Sequence, residues 1–288
     1  MNCLAPVSSL TFSIADIVFH YIYSIPISLS SSATIHNFIC HNSDIDIENH
    51  IVVTDEFYEN NNIGNIIFRT PAWTLYEDVV YFHPNNIPIA RMHYDYGFSK
   101  VTTYIKDLNF HIHPLPICIT GFLLQMHLVQ RREGLIMHGA VIQTSYTTVV
   151  LTGNSGVGKS TLSGLFAEND SVTRISDDRF ILRRVGNELK AYGNPFDTKL
   201  ERNHNTSVSI KEILFLHHGV ENQHYRINQS SIKEKLLQVS MLPYWNRESL
   251  SWSLAFLKEI IHTIPCYDLF FVPNGTAVQY IHESIYRQ

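Results

Sequence analysis

Charged side chains are scarce in this 288-residue chain: Asp, Glu, Lys and Arg make up 16% of it, against about a quarter of an average soluble domain. No run of Lys or Arg stands out, and a formal charge of -5 gives no overall basic field. The phosphate footprint of a nucleic-acid binder and the polybasic stretch of an anionic-membrane binder are both missing, so neither partner is expected. Cysteine is also sparse. Cys3, Cys40, Cys118 and Cys266 lie far apart and form no CxxC pair, which leaves no zinc knuckle and no disulfide framework, and fits a cytoplasmic setting. The longest apolar stretch, "LTFSIADIVFHYIYSIPISLS", is broken by Asp16, His20 and Pro26 and has no basic leader. It reads as strands rather than as a signal peptide or a membrane span. The sixteen histidines are scattered and have no metal-ligand spacing.

What the chain does have is apolar bulk: 45% hydrophobic residues can bury a sizeable core, and the length suits two modest domains. Residues 1–116 alternate short Ile, Val, Tyr and Phe runs with Asn, Asp and Pro clusters, as in "NHIVVTDEFYE" and "SKVTTYIKDLNFHIHP". This pattern predicts a β-rich N-terminal domain. At Ile117 the period changes, with Ile119, Phe122, Met126 and Val129 on one helical face, so the seam is set there and 117–288 forms the second domain. Strands and helices alternate in that second part, which predicts an α/β layered fold. "LIMHGAVIQTSYTTVVLTG" reads as two strands around a turn, "FILRRVGNELKAYG" as a hairpin turned by "GN", and "EILFLHHG" and "YDLFFVP" as further strands. Ser231 and Glu234 have capping-box spacing ahead of one helix. Leu250, Leu254, Leu257 and Ile261 stripe another.

The most informative stretch is "VVLTGNSGVGKSTLSGLFAEN". Gly153, Gly158, Lys159 and Ser160 satisfy G-x-x-x-x-G-K-[ST], between an apolar strand and a helical run. Glycines let the loop of Gly153, Asn154, Ser155, Gly156, Val157 and Gly158 curl so that its backbone N–H groups face phosphate oxygens. Lys159 brings positive charge to the outer phosphates, the Ser160 hydroxyl is placed for Mg2+, and Thr161 continues the helix whose N-terminus faces the anion. A GTPase would add a base-reading NKxD, and the chain has none. Upstream lies "MHGA" with His138, and downstream lies "SDDR" with Asp177 and Asp178. Beside a phosphate cradle, one carboxylate can take a proton from a hydroxyl while the other helps to hold magnesium, which is the equipment of a hydroxyl kinase.

In this order and spacing, "HGA", "GNSGVGKS" and "SDDR" resemble the HPr kinase/phosphorylase superfamily over roughly residues 135–193. The resemblance is nearer to the HPr-kinase-like serine kinases encoded beside peptide-modifying enzymes, including those of lasso-peptide maturation. "AYGNPF", "ILFLHHG" and "IPCYDLFFVPN" share that likeness. It implies a P-loop kinase domain of the HPr kinase/phosphoenolpyruvate carboxykinase type after the β-rich domain. It also implies active-site roles for His138, Lys159 and Asp177, with Ser160 on magnesium. Where that superfamily carries an "EIRG"-like signature, this chain has "NPFDTKLERNHN", with Asp197 and Glu201 the nearest acids. That departure points away from phosphorylase activity and from HPr as the acceptor.

The expectation is therefore an ATP- and Mg2+-dependent kinase acting on a serine hydroxyl of a peptide or protein. Asp177 would be the base, Asp178 would assist the metal and His138 would support them, although the sequence leaves the two aspartates exchangeable. A nucleotide-binding regulator and a kinase of a small hydroxylated metabolite remain the other readings. Homo-oligomer or monomer is not legible.

Overall fold

In the computed structural model, residues 7–27, 34–54, 64–106, 117–168, 172–196 and 205–284 are described. Their contacts divide the chain into two units, residues 1–131 with 244–247 and residues 132–243 with 248–288.

The first unit begins with β1 (Val7–Ile14) and β2 (Ile17–Ile27), antiparallel strands reversed at Ala15 and Asp16, both with positive φ. Strand β3 (Ile47–Val53) runs parallel to β2, and a run of short strands follows: β4 (Phe68–Arg69), β5 (Trp73–Leu75), β6 (Val79–Phe82), β7 (Ala90–Tyr94) and β8 (Lys100–Ile105). Together they form one eight-stranded sheet in the order β1-β2-β3-β8-β7-β6-β5-β4. The alternation of buried and exposed positions in β2 and β3 gives the sheet one apolar face, on which Phe12 and Phe19 stack at 5.1 Å.

Helix α1 (Ile117–Gln130) is where the sequence reading and the packing differ. The seam was expected before this helix, yet its residues group with the first unit. The reason lies in its composition: Leu123, Leu124 and Leu128 are as buried as Ile119 and Met126, so it has apolar surface all round rather than a single stripe. Phe122 meets the rings of Trp73, Phe82 and Phe98, and the Thr120 hydroxyl is 2.8 Å from the buried Tyr21 hydroxyl.

The second unit contains two sheets. Strands β9 (Gly134–His138), β10 (Ala140–Gln143), β11 (Thr148–Thr152), β12 (Thr173–Ser176), β13 (Arg179–Val185), β14 (Glu188–Tyr192), β15 (Ser207–Ser209), β16 (Glu212–His218), β17 (Gln223–Arg226) and β18 (Cys266–Phe271) divide between them. The six-stranded sheet has the order β12-β10-β11-β16-β18-β17, with β11, β16 and β18 parallel; the four-stranded one has the order β15-β14-β13-β9. The turn expected at "TSYT" joins β10 to β11 as an antiparallel pair, but the strand expected before it, "LIMHGAVIQ", is two strands in two sheets. Gly139 is the crossing point: a Cβ there would lie 3.0 Å from the Leu151 carbonyl oxygen and 3.2 Å from the Phe180 ring, so a larger residue would need these neighbours to give way by a few tenths of an ångström.

Helices α2 (Lys159–Ala167) and α5 (Gly275–Ser284) cover one face of the six-stranded sheet, where Leu162, Phe166, Ala277 and Ile281 pack on Leu151, Leu214, Leu216, Leu269 and Phe271. Full burial of side chains such as Leu162 and Phe166 is worth about 2 kcal/mol each, which fixes the N-terminus of α2 against the sheet end. Helix α3 (Gln229–Val239) starts earlier than the Ser231/Glu234 spacing suggests: Asn228 is its cap and accepts from the Ser231 N–H at 3.0 Å. In α4 (Arg247–Thr263) the buried positions are Ser249, Ser253, Phe256, Leu257 and Ile260, while Leu254 is exposed. Ser253 is accommodated on the inner face because its hydroxyl bonds back to the Ser249 carbonyl at 2.8 Å. Among the described residues no helix is long and apolar enough to cross a membrane.

Candidate active site

Strand β11 delivers the chain to Gly153, and from there to Gly158 every glycine has positive φ: 141° at Gly153, 80° at Gly156 and 97° at Gly158. The curl is seated on two neighbouring strand ends. A Cβ at Gly153 would stand 3.2 Å from the Leu216 carbonyl oxygen of β16, and one at Gly158 would stand 2.9 Å from the Phe271 ring of β18. Gly158 is the N-cap of α2 and supplies no side-chain cap, so no side chain at the cap position covers the backbone donors of the first turn. A curled glycine loop leading into a helix N-terminus is the arrangement that an anion cradle requires.

Lys159 folds into the loop. Its ammonium donates to the carbonyl oxygens of Gly153 and Asn154, each at 3.0 Å, and the residue is 8% exposed. The positive charge is thus held inside the curl, where an incoming phosphate would compete with those carbonyls for it. Asn154, Ser155, Gly156, Ser160 and Thr161 are exposed, while Val157 turns into the core below.

The other expected residues come to the same end of the sheet. Thr152, the last residue of β11, donates its hydroxyl hydrogen to the His138 carbonyl at 2.6 Å. Val141 of β10 pairs with Ser176 of β12, so Asp177 and Asp178 follow directly beside Gly139, whose N–H donates to the Asp178 carbonyl at 3.0 Å. The side chains then part: Asp177 is 3% exposed, whereas the Asp178 side chain is 46% exposed. His138 Nε2 lies 3.4 Å from Asp178 Oδ1, and Arg179 Nε lies 3.7 Å from Asp178 Oδ2. Asp178 is flanked by an imidazole and a guanidinium, with Arg179 opposite His138 in the β13–β9 register.

Sequence reasoning passed over Arg179 and Asn194. The buried Asn194 amide donates to the Arg179 carbonyl and its oxygen accepts from the Phe196 N–H at 2.8 Å, so "GNPF" fastens the strand that carries "DDR". The signal was the Asn-Pro turn following a hairpin. Asp197 and Glu201, the acids nearest to the missing signature, lie outside the described residues.

The donors available for magnesium are oxygens, the Ser160 hydroxyl and the aspartate carboxylates, a hard set that suits this ion when phosphate oxygens and water complete its shell. Among the described residues no group of three or more His, Cys, Asp or Glu side chains could hold a metal.

No family model matches the chain, and no curated protein matches it. Among solved structures, the HPr(Ser) kinase/phosphatase from Coxiella burnetii aligns over 50% of this chain and 89% of its own, at 14% identity and a TM-score of 0.30.

Proposed function

We propose that the chain is an ATP- and magnesium-dependent kinase that transfers the γ-phosphoryl group to a hydroxyl, that of a serine on a peptide or protein. The observation that carries this reading is the meeting, at one sheet end, of a glycine-built loop enclosing a lysine with a half-exposed His138–Asp178 pair. The backbone donors of 153–160 bind the phosphate oxygens. Lys159, drawn from the Gly153 and Asn154 carbonyls to the phosphates, offsets the charge on the oxygens in flight.

Side-chain exposure favours the exchanged assignment of the two aspartates. Asp178 faces solvent and can reach an acceptor hydroxyl, with His138 and Arg179 to orient it, whereas Asp177 is turned inward. In this reading the acceptor O–H bond breaks with its proton going to Asp178. The oxygen bonds to the γ-phosphorus, and the bond from that phosphorus to the β,γ-bridging oxygen breaks to release ADP. Ser160 and Asp177 would be the oxygen donors on the metal side, where a magnesium ion would supply positive charge at the phosphate oxygens.

The test is incubation of the protein with MgATP and serine-containing peptides, followed by mass spectrometry of the peptides. The reading expects a peptide heavier by one phosphoryl group, and no such product from the Lys159→Ala protein. Product formed equally by both proteins overturns it. ATP binding without transfer to any peptide or small hydroxylated compound would give the regulator reading its place.

A further inference from the structure

The phosphate loop rests on Leu216 and Phe271, and the chain neighbours of these two residues form a polar cluster of their own. His217 follows Leu216, Phe270 precedes Phe271, and the two rings stack across β16 and β18 with centroids 4.8 Å apart and 20° between planes. His217 Nε2 is 2.6 Å from Asp268 Oδ1, and Lys235 of α3 reaches the same oxygen at 2.9 Å. Leu216 and Phe271 face α2, so their neighbours His217 and Phe270 lie on the opposite face of the sheet.

A charged aspartate in the middle of an apolar strand is costly unless it is paired, and here it is paired twice. The consequence is an oriented imidazole. Stacking on Phe270 sets the ring plane, and in the neutral tautomer that gives its Nε2 hydrogen to the Asp268 carboxylate, Nδ1 is a hydrogen-bond acceptor. Among the described residues nothing hydrogen-bonds His217 Nδ1. The His217 side chain is 36% exposed, at the carboxyl ends of parallel strands, the place where open α/β sheets take ligands.

We propose that His217, oriented by Asp268 and Lys235, is the base-recognition element of the nucleotide site and selects adenine. This rests on the reading of the loop as a triphosphate cradle. In this reading a nucleotide whose phosphates lie on the α2 side of the sheet end carries its base across that end, one residue beyond Leu216. The acceptor at Nδ1 matches the 6-amino donor of adenine, while guanine offers the 6-carbonyl at that edge, an acceptor facing an acceptor.

Calorimetry with ATP, GTP and inorganic tripolyphosphate on the full chain tests this. The parent is expected to prefer ATP over GTP by roughly tenfold or more, and His217→Ala to bring the two affinities within about threefold through loss of ATP affinity. Asp268→Asn, which frees the ring to turn and shift its proton, is expected to erode the same preference. Tripolyphosphate binding that falls with Lys159→Ala and persists in His217→Ala shows that the phosphate end is intact. An unchanged ATP to GTP ratio in His217→Ala overturns the proposal, even if the melting temperature drops, because a purely structural cross-strand pair would do only that. An equal loss for both nucleotides also overturns it, since the contact would then be to a group they share. If Lys159→Ala leaves tripolyphosphate binding untouched, it is the cradle reading that fails.

Discussion

The Thr152 hydroxyl donates to the His138 carbonyl at 2.6 Å, tying the residue that feeds the phosphate loop to the residue whose imidazole faces Asp178. This hydrogen bond joins the strand pairings in setting the spacing between the two parts. Thr152→Val keeps the shape and the strand preference but removes the donor from a buried position. It is expected to cost about 1–2 kcal/mol in denaturant unfolding and to slow transfer more than it weakens ATP binding. Unchanged stability and unchanged transfer would mean that this bond does not hold the halves in register.

The two aspartates are separable by experiment. Asp178→Asn keeps size and hydrogen bonding but cannot take a proton, so transfer is expected to fall at least ~100-fold with ATP affinity nearly retained. Asp177→Asn is expected to raise the magnesium concentration needed for half-maximal activity. Steady-state rates across a magnesium titration distinguish them. If Asp177→Asn abolishes transfer and Asp178→Asn only shifts the magnesium dependence, the base is the buried carboxylate.

Gly158 and Gly156 provide a matched pair. Both have positive φ, but a Cβ at Gly156 meets nothing within 4 Å, whereas one at Gly158 comes to 2.9 Å from the Phe271 ring. Gly156→Ala is expected to cost only the backbone term, about 1–2 kcal/mol, and Gly158→Ala more than that, by chemical denaturation without nucleotide. Equal costs would show that the Phe271 ring gives way freely.

Burial pushes the Glu212 carboxyl up to about 7, and among the described residues its Oε2 has no hydrogen-bond partner. Between the ordinary carboxyl range and pH 7 the folded protein keeps a proton that the unfolded chain has released. Stability therefore falls as pH rises through that window and levels off above it. Glu212→Gln is expected to flatten this part of the melting-temperature profile and to melt higher than the parent at about pH 8. Glu212 starts β16 opposite Val149, at the end of the sheet away from the loop, so ATP binding is expected to be unaffected. A parent-like slope in the variant would place the pH dependence elsewhere.

Local signals carried much of the chain. The loop from Gly153 to Ser160 was readable because its glycines, lysine and serine answer needs met within eight consecutive residues, and the strand before it and helix after it follow from apolar periodicity. The "GN" hairpin, with Gly186 at φ 60°, was readable for the same reason. The start of α3 was misplaced because Asn228 and Ser231 are both good caps, and only the hydrogen bond made in the fold chooses between them. The stripe on α4 was misplaced because two serines face inward, one of which, Ser253, bonds its hydroxyl within the helix.

The sequence by itself determined a glycine-rich loop between a strand and a helix, an α/β second part and a "DD" pair placed to follow a strand. Each of these depends on residues close together in the chain, where backbone dihedrals and side-chain spacing suffice. Only the tertiary structure decided that Asp177 turns inward while Asp178 stands between His138 and Arg179, that Gly139 passes the chain from one sheet to the other, and that α1 packs with the first unit. It alone brought His217, Asp268 and Lys235 to one oxygen atom. Those arrangements depend on strand register and on which faces are covered, and a partner 51 residues away, as Asp268 is from His217, leaves no periodic trace in the sequence around either residue.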